Sequence, residues 1–149
     1  MTRVAIALLL CLGLAACGQS RLNPMTWFGG EREERITLRE GAPESADPRP
    51  LVAAITALSV ETTTSGAIVT ATALTDATGY WQPGLLEVER TEDSVTYEFR
   101  ARPPQAGRLA GPEPTRVIVA AVDLGRRDLA GLRTITVRSQ TNQRSVQRR

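Results

Sequence analysis

From about Leu51 onward the chain is written in short β-branched segments punctuated by turn residues, and no stretch keeps a 3.6-residue apolar period long enough for a substantial helix. Residues 53–62 and 67–74 read as two strands meeting at Thr64-Ser65-Gly66, where glycine is expected to supply the positive φ of a tight hairpin. Residues 85–90 and 95–101 read as a second hairpin across Thr91 to Ser94. Alternation there puts Leu86, Val88, Val95, Tyr97 and Phe99 on a core face and leaves Glu87, Glu89, Arg90, Thr96, Glu98 and Arg100 for water. Pro103 to Pro114 is a loop. Thr115 to Val122, the most apolar run, suits a central strand, and Leu132 to Arg138 alternates once more. Short strands spaced by turns bury an apolar face only by stacking as two sheets, so the expectation is an all-β chain. Its fold is a small antiparallel β-sandwich of about six to seven strands over residues 51–140.

Residues 66–81, GAIVTATALTDATGYW, resemble the strand and turn of transthyretin-like and carboxypeptidase-regulatory-like modules. The resemblance implies an immunoglobulin-like or transthyretin-like sandwich and says nothing of activity, because such folds host many functions.

Upstream, residues 18–50 have few β-branched residues, several Gly and Pro, and a mixed-charge run from Glu31 to Arg35, a composition that cannot bury enough apolar surface to offset ordering. Residues 17–50 therefore read as a disordered, flexible tether. At 5–6 Å times the square root of its length, about 33 residues reach roughly 30 Å. The run Glu31 to Glu40 is also a candidate for a short helical turn. Trp27 and Phe28 either dip into a head-group layer, which tryptophan favours, or pack onto the folded domain.

Residues 1–16 carry the order of a secretory signal: Arg3, an apolar run from Val4 to Leu14, then the small pair Ala15-Ala16. The run is too short to span a bilayer. Leu14-Ala15-Ala16-Cys17 resembles the lipobox of bacterial lipoproteins. That resemblance implies cleavage before Cys17 and lipidation of its thiol and new amino group, and two or three acyl chains exceed the threshold for stable anchoring. Gly18 stands where the enteric inner-membrane retention signal is typically Asp, so the resemblance favours the periplasmic face of the outer membrane over the inner membrane.

Composition then removes whole chemistries. Cys11 leaves with the signal and Cys17 is alkylated, so the mature chain is expected to have no thiol. Histidine is absent and all 18 basic residues are arginine, which excludes Ser-His-Asp hydrolysis, the usual zinc sites, Schiff bases and a phosphate-loop lysine. Acid–base work by carboxylates is the enzymatic route left open. Glu87 and Glu89, two apart on one strand, are read as sharing a face, with Glu98 beside them if the strands pair. Such residues on a wet sheet face are ordinarily neighbours of arginines, here Arg90 and Arg100. The reading is non-catalytic, with no cofactor and no metal.

Removing the signal leaves 17 Arg against 16 acidic residues, so the mature chain is no polycation. Residues 132–149 nevertheless hold five Arg and no acid. Residues 141–149 read as a basic C-terminal tail, in which Arg144, Arg148 and Arg149, together with Arg138, either contact an anionic surface or belong to a last strand and a solvated terminus. No aromatic residue interleaves with them, which argues against nucleic acid. Asp76, Tyr80 and Trp81 fall on the loop before the third strand and are candidate binding residues, with core packing the alternative for one of the two aromatics in a chain of only six. Two functions remain open: a membrane-anchored assembly module that engages another envelope protein, and a lipoprotein that binds a small ligand, glycan or lipopolysaccharide.

Overall fold

The computed structural model describes residues 31–35, 47–105, 107 and 109–148. Cys17, Trp27, Phe28 and Arg149 lie outside them. Among the described residues the regular elements are eight strands, β1 (Arg32–Arg35), β2 (Ala54–Thr62), β3 (Gly66–Leu74), β4 (Trp81–Arg90), β5 (Ser94–Arg102), β6 (Val117–Gly125), β7 (Thr134–Arg138) and β8 (Asn142–Gln147), with one 3₁₀ turn, Glu113–Arg116, before β6. They form a five-stranded sheet of order β1-β8-β7-β5-β4 and a three-stranded sheet of order β2-β3-β6. The result is the expected small β-sandwich. Neighbouring strands are antiparallel except β5 and β7, which run parallel.

The inner faces share one apolar cluster. Strand β3 contributes Val69, Ala71 and Ala73, whose small size leaves room for the two large residues of β5, Tyr97 and Phe99, and β7 adds Ile135 and Val137. Burial of the Tyr97 ring, with the charge of Glu87 near its hydroxyl, pushes that phenol up to about 12. Where β7 ends, Pro50 to Val52 takes over beside β5: Val52 N–H donates to Phe99 O at 3.0 Å and Ala101 N–H to Pro50 O at 3.2 Å.

Five sequence expectations need correcting. Gly66 does not adopt positive φ. It is required by close packing, since a Cβ there would lie 1.9 Å from Leu124 O on β6. On β4 the faces are inverted, because Leu85 pairs with Phe99 and Leu86 with Glu98, so Leu85 packs on the core. The apolar run expected to be central is β6, at a sheet edge. Ile118, Ala120, Val122 and Leu124 turn inward while Val117 and Val119 are 42% and 52% exposed. The span expected to be a basic tail contains β8, so the sheet extends to Gln147. Finally, Arg32–Arg35 is strand rather than helical turn, because the β8 edge offers it a backbone to pair with.

Candidate interaction surface

The segment from Thr75 to Gly84 is fixed at both ends before its aromatic residues are presented. Buried Thr75 donates its N–H to Arg116 O at 3.0 Å and its hydroxyl to Ala77 O at 2.6 Å, and Thr78 N–H donates to Leu109 O at 2.9 Å. Gly79 then turns the chain at φ +82°. The Tyr80 hydroxyl donates to Asp76 Oδ1 at 2.6 Å, closing the loop, while the ring packs partly against the core. Tyr80 and Asp76 thus hold the loop's shape, and Trp81 is what the loop exposes.

Trp81 opens β4 with 39% of its surface exposed. Its indole N–H donates to Pro103 O at 3.2 Å, and the Arg102 guanidinium lies 5.4 Å from its ring centroid, within cation–π range. Register explains the exposure: Trp81 pairs with Arg102 and Gly84 with Arg100, so Gln82 and Pro83 together face Ala101 in a β-bulge. Gln82 takes φ +49°, a left-handed conformation costly for a non-glycine residue. Its carbonyl accepts Arg49 Nη1 at 3.0 Å and its Oε1 accepts Arg102 Nε at 3.0 Å. The absent side chain of Gly84 lets the Arg49 guanidinium lie close over the backbone, since a Cβ there would sit 2.8 Å from Arg49 Nη1. Arg49 is held in turn by Asp47 at 2.5 Å, and those hydrogen bonds keep the Asp47 carboxyl well below the usual carboxylate range. Strain of this kind persists only where the surroundings enforce it, and it gathers at functional sites. The product is an indole with the Arg102 guanidinium over its ring at one end of the sandwich, a surface suited to carboxylates, aromatic rings or the faces of sugars.

The carboxylates expected to cluster do not. A register shift between Glu87 and Glu89 separates them: Glu87 pairs with Tyr97, whose side chain is in the core, and Glu89 with Thr96 on the outer face. Arg90 holds Glu87 at 2.7 Å and keeps its carboxyl below the ordinary value. Glu98, expected in water, is 5% exposed on the outer face of the five-stranded sheet, between Arg138 at 2.5 Å and Arg100 at 2.6 Å. Burial alone would raise its pKa, but the hydrogen bonds from Arg138 and Arg100 outweigh it and hold the carboxyl below its ordinary value. Arg138 is therefore an internal partner. Arg144 also turns inward, bonded to Glu31 and Glu33. Arg148 is exposed, its N–H donating to Arg133 O at 2.7 Å. Among the described residues no group of acidic side chains converges as a metal site would require.

Sequence reasoning singled out Trp81 but missed Arg102, Arg49 and Gln82. Pro83-Gly84 within an otherwise β-rich segment was the available sign of a bulge.

The fold and this surface define a small β-sandwich with an aromatic–cation platform at one end. No protein-family model matches the chain, and neither the curated proteins nor the solved structures contain a match.

Proposed function

We propose that this chain is an envelope lipoprotein, anchored through lipidated Cys17 at the periplasmic face of the outer membrane. Its β-sandwich serves as a non-catalytic module that engages another envelope protein through the Trp81 platform. The observation that carries the reading is the exposed Trp81 ring, fixed by Arg102 and Pro103 beside the strained residue Gln82. A large, rigid amphipathic side chain already immobilised loses little entropy on contact, the property of residues that dominate interfaces. The lipobox supports the anchorage, and the absence of His, Lys and a mature thiol supports a non-catalytic role.

A photoreactive benzoylphenylalanine at position 81, introduced in cells, tests the contact, with the same group at exposed Glu61, near the opposite end of the strands, as control. Intact mass of the membrane-extracted chain tests acylation of Cys17. A discrete protein adduct from position 81 and none from 61 is expected. Label found on lipopolysaccharide or peptidoglycan instead would replace the protein partner by an anionic glycan, for which the Arg102 guanidinium beside the indole supplies the matching charge.

A further inference from the structure

At the other edge of the five-stranded sheet, β1 is an unusual lodger. Its four residues are all charged and all exposed, so it buries no apolar side chain. It is held by backbone pairing, from Arg32 opposite Ser145 to Arg35 opposite Asn142, and by Glu31 and Glu33, which lie on one side of the extended chain because they are two residues apart. Arg144 Nη1 meets Glu31 Oε1 at 2.9 Å and Arg144 Nη2 meets Glu33 Oε2 at 2.6 Å. Asn142 Nδ2 donates to Glu33 Oε1 at 3.0 Å, and Leu58 N–H donates to Glu31 Oε2 at 2.5 Å.

These donors are aimed by β2 and not by β1. Arg144 Nε and Asn142 Nδ2 both donate to Ile55 O, at 3.0 Å and 2.9 Å, and Asn142 Oδ1 accepts Ile55 N–H at 2.8 Å and the Ser139 hydroxyl at 2.7 Å. Asn142 is 4% exposed. A register shift in β2 between Ile55 and Ala57 accompanies the arrangement. The junction of β2 and β8 is therefore a preformed carboxylate receptor beside a strand edge. Its resident is short, and ion pairs as exposed as those of Glu31 and Glu33 contribute little. Strand β8 runs six residues, Asn142–Gln147, yet β1 pairs only as far as Ser145, which leaves Val146 and Gln147 without a strand partner on that side among the described residues.

We propose that the β8 edge is a docking site for an extended acidic segment of a partner protein, one carrying carboxylates two residues apart, and that Glu31–Arg35 fills it in cis until such a segment displaces it. A longer segment can also pair with Val146 and Gln147, with which no described residue pairs on that side. This site is independent of the Trp81 platform.

The test uses the full mature chain and a fluorescent synthetic peptide of residues 29–37, read by anisotropy. With Glu31→Gln and Glu33→Gln in the protein, so that the cis strand competes weakly, saturable binding is expected, at least tenfold tighter than to the unaltered chain. Replacing both glutamates of the peptide's Glu-x-Glu by glutamine should weaken binding at least tenfold, a comparison that needs no change in the protein's fold. Arg144→Gln should do the same, and Trp81→Ala should leave binding unchanged. Failure of the peptide to bind the Glu31→Gln, Glu33→Gln protein, or equal binding of the glutamine peptide, would overturn the proposal.

Discussion

The two edges of the five-stranded sheet handle unpaired backbone in different ways. At the β4 edge the strand is broken by two register shifts and lined with exposed side chains, so that a neighbouring chain finds no regular ladder to extend, while Trp81 is pushed outward by the bulge. At the β8 edge the ladder stays regular and is covered by the chain's own β1. The first edge offers side chains and the second offers backbone. The bulged edge holds Gln82 in a left-handed conformation, whereas the covered edge is fixed by the hydrogen bonds that Asn142 and Arg144 make to Ile55.

Removing Asn142 should do most damage to this distinction. Asn142→Ala strips Ile55 N–H of its buried acceptor, leaves Ile55 O with Arg144 Nε alone, and should cost about 3 kcal/mol in urea unfolding, whereas Trp81→Ala should cost less than about 1 kcal/mol. Equal costs would mean that Trp81 is structural. Glu98→Gln, on the outer face of β5, should cost about 2 kcal/mol by leaving Arg100 and Arg138 without their shared anion. Because the folded carboxyl titrates below its ordinary value of 4.5, its contribution is complete above that pH and is lost as pH falls through the lower folded value. Stability measured from pH 6 down to pH 3 should therefore decline less steeply in Glu98→Gln than in the parent. At the bulge, Gln82→Gly should be more stable than Gln82→Ala by about 1 kcal/mol, since only glycine takes φ +49° without penalty. The smallest effect belongs to Glu33→Gln, less than about 1 kcal/mol, read best as faster amide hydrogen exchange in β8 with little change elsewhere.

The sandwich was legible because β3, β5 and β7 alternate apolar and small or polar residues with period two, as β2 does from Leu58 onward. Strand β8 was not, since Val146 is the one apolar residue in NQRSVQ and its inward positions are otherwise Asn142 and Arg144, whose burial depends on partners distant in sequence. Strand β1 was hidden for the same reason: a run of glutamate and arginine has no intrinsic reason to be extended until an edge with matching charge is present. The inverted face of β4 shows that one unrecognised bulge flips every residue beyond it, which also scattered Glu87, Glu89 and Glu98. At the Trp81 end the sequence marked the aromatic residue and the turn. Arg102 comes from a segment remote from that loop, and only the register of β4 on β5 brings it to the indole, while Arg49 reaches the Gln82 carbonyl of the bulge from the segment before β2.

The most direct test of the Trp81 platform places a photoreactive side chain at exposed Gln105, beyond the Pro103 carbonyl that anchors the indole, and compares adducts in cells between the parent and Trp81→Ala. The account predicts a discrete protein adduct in the parent that disappears in Trp81→Ala while the unfolding midpoint of the purified protein shifts by only a few degrees. An adduct that survives the substitution, or an unfolding midpoint that collapses with it, would contradict the claim that this sandwich meets its partner through Trp81.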